Sequence, residues 1–157
     1  MQQSTDKKFS ITQFKLFLDL LVLALFIAVN IPQLTGLAGH EWVSFVFVAP
    51  FLVHLIMNWK WVVNVFARLF QKLPGETRFN QIWDLLLFIM MTLVVFSGTV
   101  VSEKALPALG IHIEIDPFWR SIHTGMANLL MLMFGVHLTM HWKWIVSNFR
   151  RYVLHKA

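Results

Sequence analysis

Four long apolar stretches, roughly residues 11–31, 40–66, 79–101 and 117–147, fill most of this 157-residue chain. Each meets the length of about 20 residues that an α-helix needs to cross a bilayer. A chain so patterned has few folds open to it, because in hydrocarbon every backbone N–H and C=O must be paired within its own segment or in a closed barrel. The expected fold class is all-α, a four-helix transmembrane bundle built from two tandem helical hairpins. It would form a single domain over residues 1–157, with one hairpin repeat over 11–72 and a second over 78–154. Composition agrees: 57% of residues are hydrophobic and only 13% charged, too little polar surface for a water-soluble chain of this size. Local signals mark the ends. Ser10-Ile11-Thr12-Gln13 has the form of a capping box, and Asp116-Pro117 places a good N-cap before a proline at the first helical position. Leu73-Pro74-Gly75-Glu76-Thr77 reads as the turn between hairpins, and Pro50 is expected to bend the second helix.

Charge supplies an orientation. Lys7, Lys8, Lys15, Lys60, Arg68, Lys72, Arg78, Lys143, Arg150, Arg151 and Lys156 fall on the side of the termini and the 2–3 connection, against Lys104 and Arg120 on the other. Basic residues are retained on the cytoplasmic side, so a multi-pass protein of the bacterial inner membrane with both termini cytoplasmic is expected. These cations flank membrane helices, which makes lipid rather than nucleic acid their partner. Trp42 and Trp119 near one boundary, and Trp59, Trp61, Trp142 and Trp144 near the other, suit interfacial belts. The polar first ten residues lack the features of a cleavable signal, so the first helix is expected to stay as an anchor.

Within this frame two histidines fourteen residues apart, His40 and His54, recur as His123 and His137, each eighty-three residues later. Around the inner histidines, residues 51–63 and 134–146 agree at nine of thirteen positions. Fourteen helical residues climb about 21 Å and fall about 40° short of four full turns, so both histidines of a copy lie on one stripe at two depths. Two parallel helices with such stripes present two stacked pairs, the arrangement a transmembrane bis-histidine dihaem site needs. His40 with His123 would hold an outer haem b, and His54 with His137 an inner one, as axial iron ligands. Ser44 and Ala127 put a small residue one turn after each outer histidine, and Phe51 and Phe134 put a ring one turn before each inner one. Arg120 and Lys104 lie nearest the outer propionates, Lys60 and Lys143 nearest the inner ones.

The chain contains no cysteine, which excludes covalent haem attachment, thiolate-held clusters and disulfides. Met57 and Met140 match between copies and read as packing. His141, four residues after His137, could join it in a metal site, but Asn58 stands at the matching position, so a polar contact near the inner haem is the better reading. His112 and His155 read as solvated. Asp19 and Asp84 match at an offset of sixty-five, each opening an Asp-Leu-Leu run at about the depth of the inner histidines. They read as acceptors for a tryptophan indole or partners for Lys60 or Lys143, with proton uptake as the functional alternative.

The segments His40-Glu41-Trp42 and His54-Leu55-Ile56-Met57-Asn58-Trp59-Lys60-Trp61, echoed by Trp119-Arg120-Ser121-Ile122-His123 and His137-Leu138-Thr139-Met140-His141-Trp142-Lys143-Trp144, resemble the flavinylation-associated four-helix membrane cytochromes. More distantly the arrangement is similar to the dihaem core of respiratory cytochrome b. The resemblance covers nearly the whole chain and implies a b-type cytochrome beside flavin-carrying or other redox proteins, an electron-carrying subunit of a membrane oxidoreductase. The function expected is electron transfer across the bilayer between quinone, or a cytoplasmic donor, and a redox partner protein. No catalytic residue is assigned. The rival class, a haem-free transporter, channel or membrane-anchor subunit, calls for polar residues along a continuous pore, and the helices offer few.

Overall fold

The computed structural model describes residues 10–68 and 70–154, all helix and connection, with no strand among them. The elements are α1 (Ile11–Val29), α2 (Pro32–Met57), α3 (Trp59–Ala67), α4 (Gly75–Val100), α5 (Ala105–Ala108) and α6 (Pro117–Tyr152). Of these, α1, α2, α4 and α6 are long and apolar enough to cross a membrane. Lys7, Lys8, His155 and Lys156 lie outside the described residues. Both expected caps form: the Ser10 hydroxyl accepts from the Gln13 N–H while the Gln13 side chain accepts from the Ser10 N–H, and Asp116 accepts from the Phe118 N–H with Pro117 at N1.

The second apolar stretch is not one helix. It starts at Pro32, eight residues before the expected boundary, and its first turn is set off by Gly36 at φ 69° and ψ 171°, a conformation that glycine adopts without Cβ strain. At Asn58 the chain breaks again into α3. The Asn58 side chain donates to the His54 carbonyl at 2.9 Å, so it competes for the acceptor that would carry the ladder onward. The matching position in the second copy is His141, which makes no such bond, and α6 continues unbroken to Tyr152. Pro50 stays inside α2 without interrupting it; the interruptions fall at Gly36 and Asn58.

Packing is uneven. α1 lies along α2 and α4 along α6, so each hairpin is well packed within itself, while across the hairpins the contacts of α1 with α6 and of α2 with α4 are sparse. The buried cluster at the seam takes one residue from each long helix: Phe26, Phe47, Met91 and Leu130. Phe26 and Met91 share the offset of sixty-five, and Phe47 and Leu130 that of eighty-three, so matched positions of the two hairpins meet at the centre. Large apolar side chains such as Val46, Ile56, Ile89 and Leu132 remain exposed on the outside, as lipid contact requires. Below, the face holding both ends of the described chain is the terminal face, and the opposite one is the connector face.

Candidate functional site

Two cavities lie on either side of the central cluster. Phe26, Phe47 and Met91 line both, so the cluster is the partition between them. Its rings pack closely: Phe26 stacks on Phe134 at 4.2 Å between centroids and Phe47 on Phe51 at 5.5 Å, with Phe26 and Phe47 6.3 Å apart.

The connector-face cavity, about 250 Å³, is lined by His40, His123, Ser44, Ala127, Gly98 and Arg120 among others. The structure brings His40 and His123 together from α2 and α6 with ring centroids 6.2 Å apart and planes at 73°. Two imidazoles that ligate one ion from opposite sides through bonds of about 2 Å have centroids about 6 Å apart. Nδ1 of His40 donates to the Val29 carbonyl at 2.8 Å, and Nδ1 of His123 to the Val94 carbonyl at 3.1 Å. A carbonyl only accepts, so the proton sits on Nδ1 and Nε2 is left as the lone-pair nitrogen. Gly98 makes the close approach of His123 to α4 possible, since a Cβ there would stand 2.8 Å from His123 Cε1 and 3.1 Å from its Nδ1.

The terminal-face cavity, about 500 Å³, is lined by His54, His137, Phe51 and Phe134 together with Asp19, Asp84, His141 and Lys15. The two aspartates correct the sequence reading. Their partners are neither indoles nor lysines: Asp19 Oδ1 accepts from His54 Nδ1 at 2.7 Å, and Asp84 Oδ1 accepts from His137 Nδ1 at 2.8 Å. Trp83, on the same helix as Asp84, donates its indole to the Met133 carbonyl instead. His141 turns Nε2 to within 3.8 Å of Asp84 Oδ2, and its ring centroid is 4.6 Å from that of His137. Asp84, His137 and His141 thereby gather three ligand-type atoms within 4.8 Å of one another, with Nδ1 of His137 already committed to the carboxylate.

Charged side chains are distributed differently from the expectation. Lys60 and Lys143 are exposed and line neither cavity, while Lys15, whose Nζ donates to Asn58 Oδ1 at 3.0 Å, lines the terminal-face cavity. Arg120 lines the connector-face cavity and is ion-paired with Glu103. Met57 and Met140 line neither.

One residue, named above only within the His40-Glu41-Trp42 segment, was given no role of its own. Glu41, next to His40 and 7% exposed, accepts four hydrogen bonds from the segment between α4 and α6: the Ser102 hydroxyl at 2.6 Å and the N–H groups of Glu103, Lys104 and Ala105 at 2.9, 2.9 and 2.7 Å. Ser102 Oγ accepts in turn from the Leu106 N–H at 3.1 Å. The carboxylate thus caps the turn that opens α5 and fixes that segment over the end of α2. An acid beside a candidate ligand in an otherwise apolar stretch was the available signal.

The family described as prokaryotic cytochrome b561 matches residues 10–148. The chain belongs to that family. No curated protein and no solved structure shows a significant match. Membership makes this a membrane-embedded b-type cytochrome, a carrier of electrons that binds haem b in a multi-pass helical bundle. The donor set of the cytochrome fits such a group: four imidazoles and no thiolate, each imidazole with Nδ1 tied down and Nε2 available, facing cavities between the helices of two hairpins.

Proposed function

We propose that this cytochrome holds two haems b, one between His40 and His123 on the connector face and one between His54 and His137 on the terminal face, and passes electrons across the bilayer between them. One observation carries the reading. At all four histidines Nδ1 is bonded to an acceptor of the other long helix of the same hairpin, and those acceptors occupy equivalent positions of the two hairpins, Val29 with Val94 and Asp19 with Asp84. Such outer partners fix the tautomer and the ring orientation of a metal-ligating histidine, and a merely structural histidine has no need of four matched ones. The haems supply one-electron chemistry when bound. The chain does the rest: two histidines would hold each group, the packed rings of Phe26 and Phe47 stand between the two cavities, Ser44 and Ala127 put small side chains on the lining, and Gly98 admits the His123 ring against α4.

The duplicated plan also supports one domain of two hairpin repeats. The bias of basic residues supports cytoplasmic termini, so electrons would enter from a cytoplasmic donor or a quinone at the terminal face and leave to a redox partner, flavin-carrying or otherwise, at the connector face. Arg120 and Lys15 are the cations at the two cavities suited to propionates. The purified protein should give a reduced-minus-oxidised spectrum of low-spin haem b, and haem extraction should return two per chain. One haem per chain, or none, would overturn this reading.

A narrower result is expected at Gly98. Alanine there drives a methyl group into the His123 ring, and α4 and α6 are packed too closely for the ring to yield freely. The Gly98→Ala protein should lose or convert to high spin only the connector-face haem, at a stability cost of about 1–3 kcal/mol. An unchanged spectrum would show that His123 is free to move.

A further inference from the structure

The two cavities share a plan but differ in what stands behind their imidazoles. On the connector face the acceptors are neutral main-chain carbonyls, of Val29 at 2.8 Å and Val94 at 3.1 Å. On the terminal face they are two carboxylates, of Asp19 at 2.7 Å and Asp84 at 2.8 Å. An imidazole that donates to a carboxylate is drawn toward imidazolate, which makes its other nitrogen a stronger donor to a metal, and second-shell bonding of this kind is a main lever on redox potential. Each carboxylate also places negative charge one ring away from the position a metal would take, in a partly buried setting where charge is screened less than in bulk water. Both effects favour the ferric state.

From this asymmetry we propose that Asp19 and Asp84 hold the terminal-face haem at a lower potential than the connector-face haem, so that electron flow runs downhill from the terminal face to the connector face. The inference rests on the two-haem reading above. With both haems bound, the transfer would move a single electron, oxidising the terminal-face group by one electron and reducing the connector-face group by one, with no bond made or broken in the chain.

Other charges near each site do not reverse the sign. The carboxylate of Glu41 is saturated by four donors of the connector segment, Glu103 is paired with Arg120, and neither is bonded to an imidazole. On the terminal face Lys15 is turned to Asn58, and His141 lies 3.8 Å from the second oxygen of Asp84 and within electrostatic reach of Asp19, so when charged it offsets part of both carboxylates without replacing either as the acceptor behind an imidazole.

The test is an optically monitored redox titration of the full-length protein, with the bands assigned from His40→Ala and His54→Ala, each of which leaves one haem in place. The haem retained in His40→Ala should titrate below the one retained in His54→Ala. Asparagine keeps the acceptor and removes the charge, so in the Asp19→Asn, Asp84→Asn double variant the terminal-face couple should rise. At a fixed potential its ferrous-to-ferric ratio should grow at least tenfold, which is about 59 mV for one electron, and the connector-face couple should stay put. A part that was only structural would leave the potential unchanged so long as haem is bound. If the double variant takes up no haem, the order of the two couples in the unaltered protein decides. Equal or reversed couples, or a terminal-face potential indifferent to the loss of both carboxylates, would overturn the inference while leaving two haems in place. Finding a single haem would remove the reading on which it stands.

Discussion

Alanine in place of either His54 or His137 is expected to eliminate the same haem, taking the content from two per chain to about one, while the connector-face haem keeps its low-spin spectrum. Both side chains line the terminal-face cavity, one from α2 and one from α6, and the third imidazole there, His141, has its Nε2 turned to Asp84. His40→Ala and His123→Ala should likewise resemble each other and spare the terminal-face haem. The two pairs should differ in stability. Removing His54 leaves the Asp19 carboxylate without the imidazole bonded to it, at a cost of about 1–3 kcal/mol, and removing His137 leaves Asp84 with His141 alone, whereas the Val94 carbonyl stays in the helix ladder and the Val29 carbonyl, the last of α1, loses one neutral bond. Pyridine haemochrome quantification with thermal unfolding of each variant reads both effects. If His40→Ala and His54→Ala damaged one common haem, ligation would run along a helix rather than between helices, and the pairing would be wrong.

Glu41→Ala should be the most destabilising single change outside the histidines. It leaves the Ser102 hydroxyl and three N–H groups without their acceptor. At about 1–3 kcal/mol for each buried donor left unpaired, and with water reaching some of them after the segment lifts, the loss is on the order of 4 kcal/mol. Glu41→Gln keeps one acceptor oxygen and turns an amide toward a cluster of donors, so an intermediate loss is expected. Limited proteolysis provides the local readout: the segment from Ser102 to Asp116 should become cleavable in Glu41→Ala at temperatures where the unaltered protein resists. A connector as resistant as before, with an unchanged melting temperature, would mean that α5 is held by packing of Ala105 and Leu106, both buried, and not by the carboxylate.

Much of this molecule was legible from its residues, for physical reasons that also explain what was not. Apolar length dictates spanning helices whatever surrounds them, so the four spans and the two caps at Ser10 and Asp116 could be read directly. Their ends could not, where a single side chain decides: Asn58 and Gly36 break a stretch whose hydropathy is continuous. Spacing along a helix gives depth and face, which is why His40 and His123 stand together and why the aspartates were placed at the level of the inner histidines. Depth does not give rotation. Tryptophan, lysine and histidine all lie near Asp19 and Asp84 in height, and only packing selects the histidine. The same limit applies to the cations, for Lys60 and Lys143 are close in sequence to the inner histidines while Lys15, on another helix, reaches the cavity. Glu41 was given no role because three of its four partners are main-chain N–H groups, which any sequence would supply, and the fourth, Ser102, lies sixty-one residues away.

With the proposed ligation, the thin seam between the hairpins would tie assembly of this protein to its cofactor. Lipid gives helices little hydrophobic reason to associate, so association depends on packing and polar contacts, and here those lie mostly within each hairpin. A ligand gripped by one histidine from each hairpin binds the assembled form alone, and at a thousandfold excess over its dissociation constant it adds about 4 kcal/mol to that form. Assembly would then become a census of available haem, with the hairpins expected to part in the bilayer and to grow open to proteolysis when the supply falls.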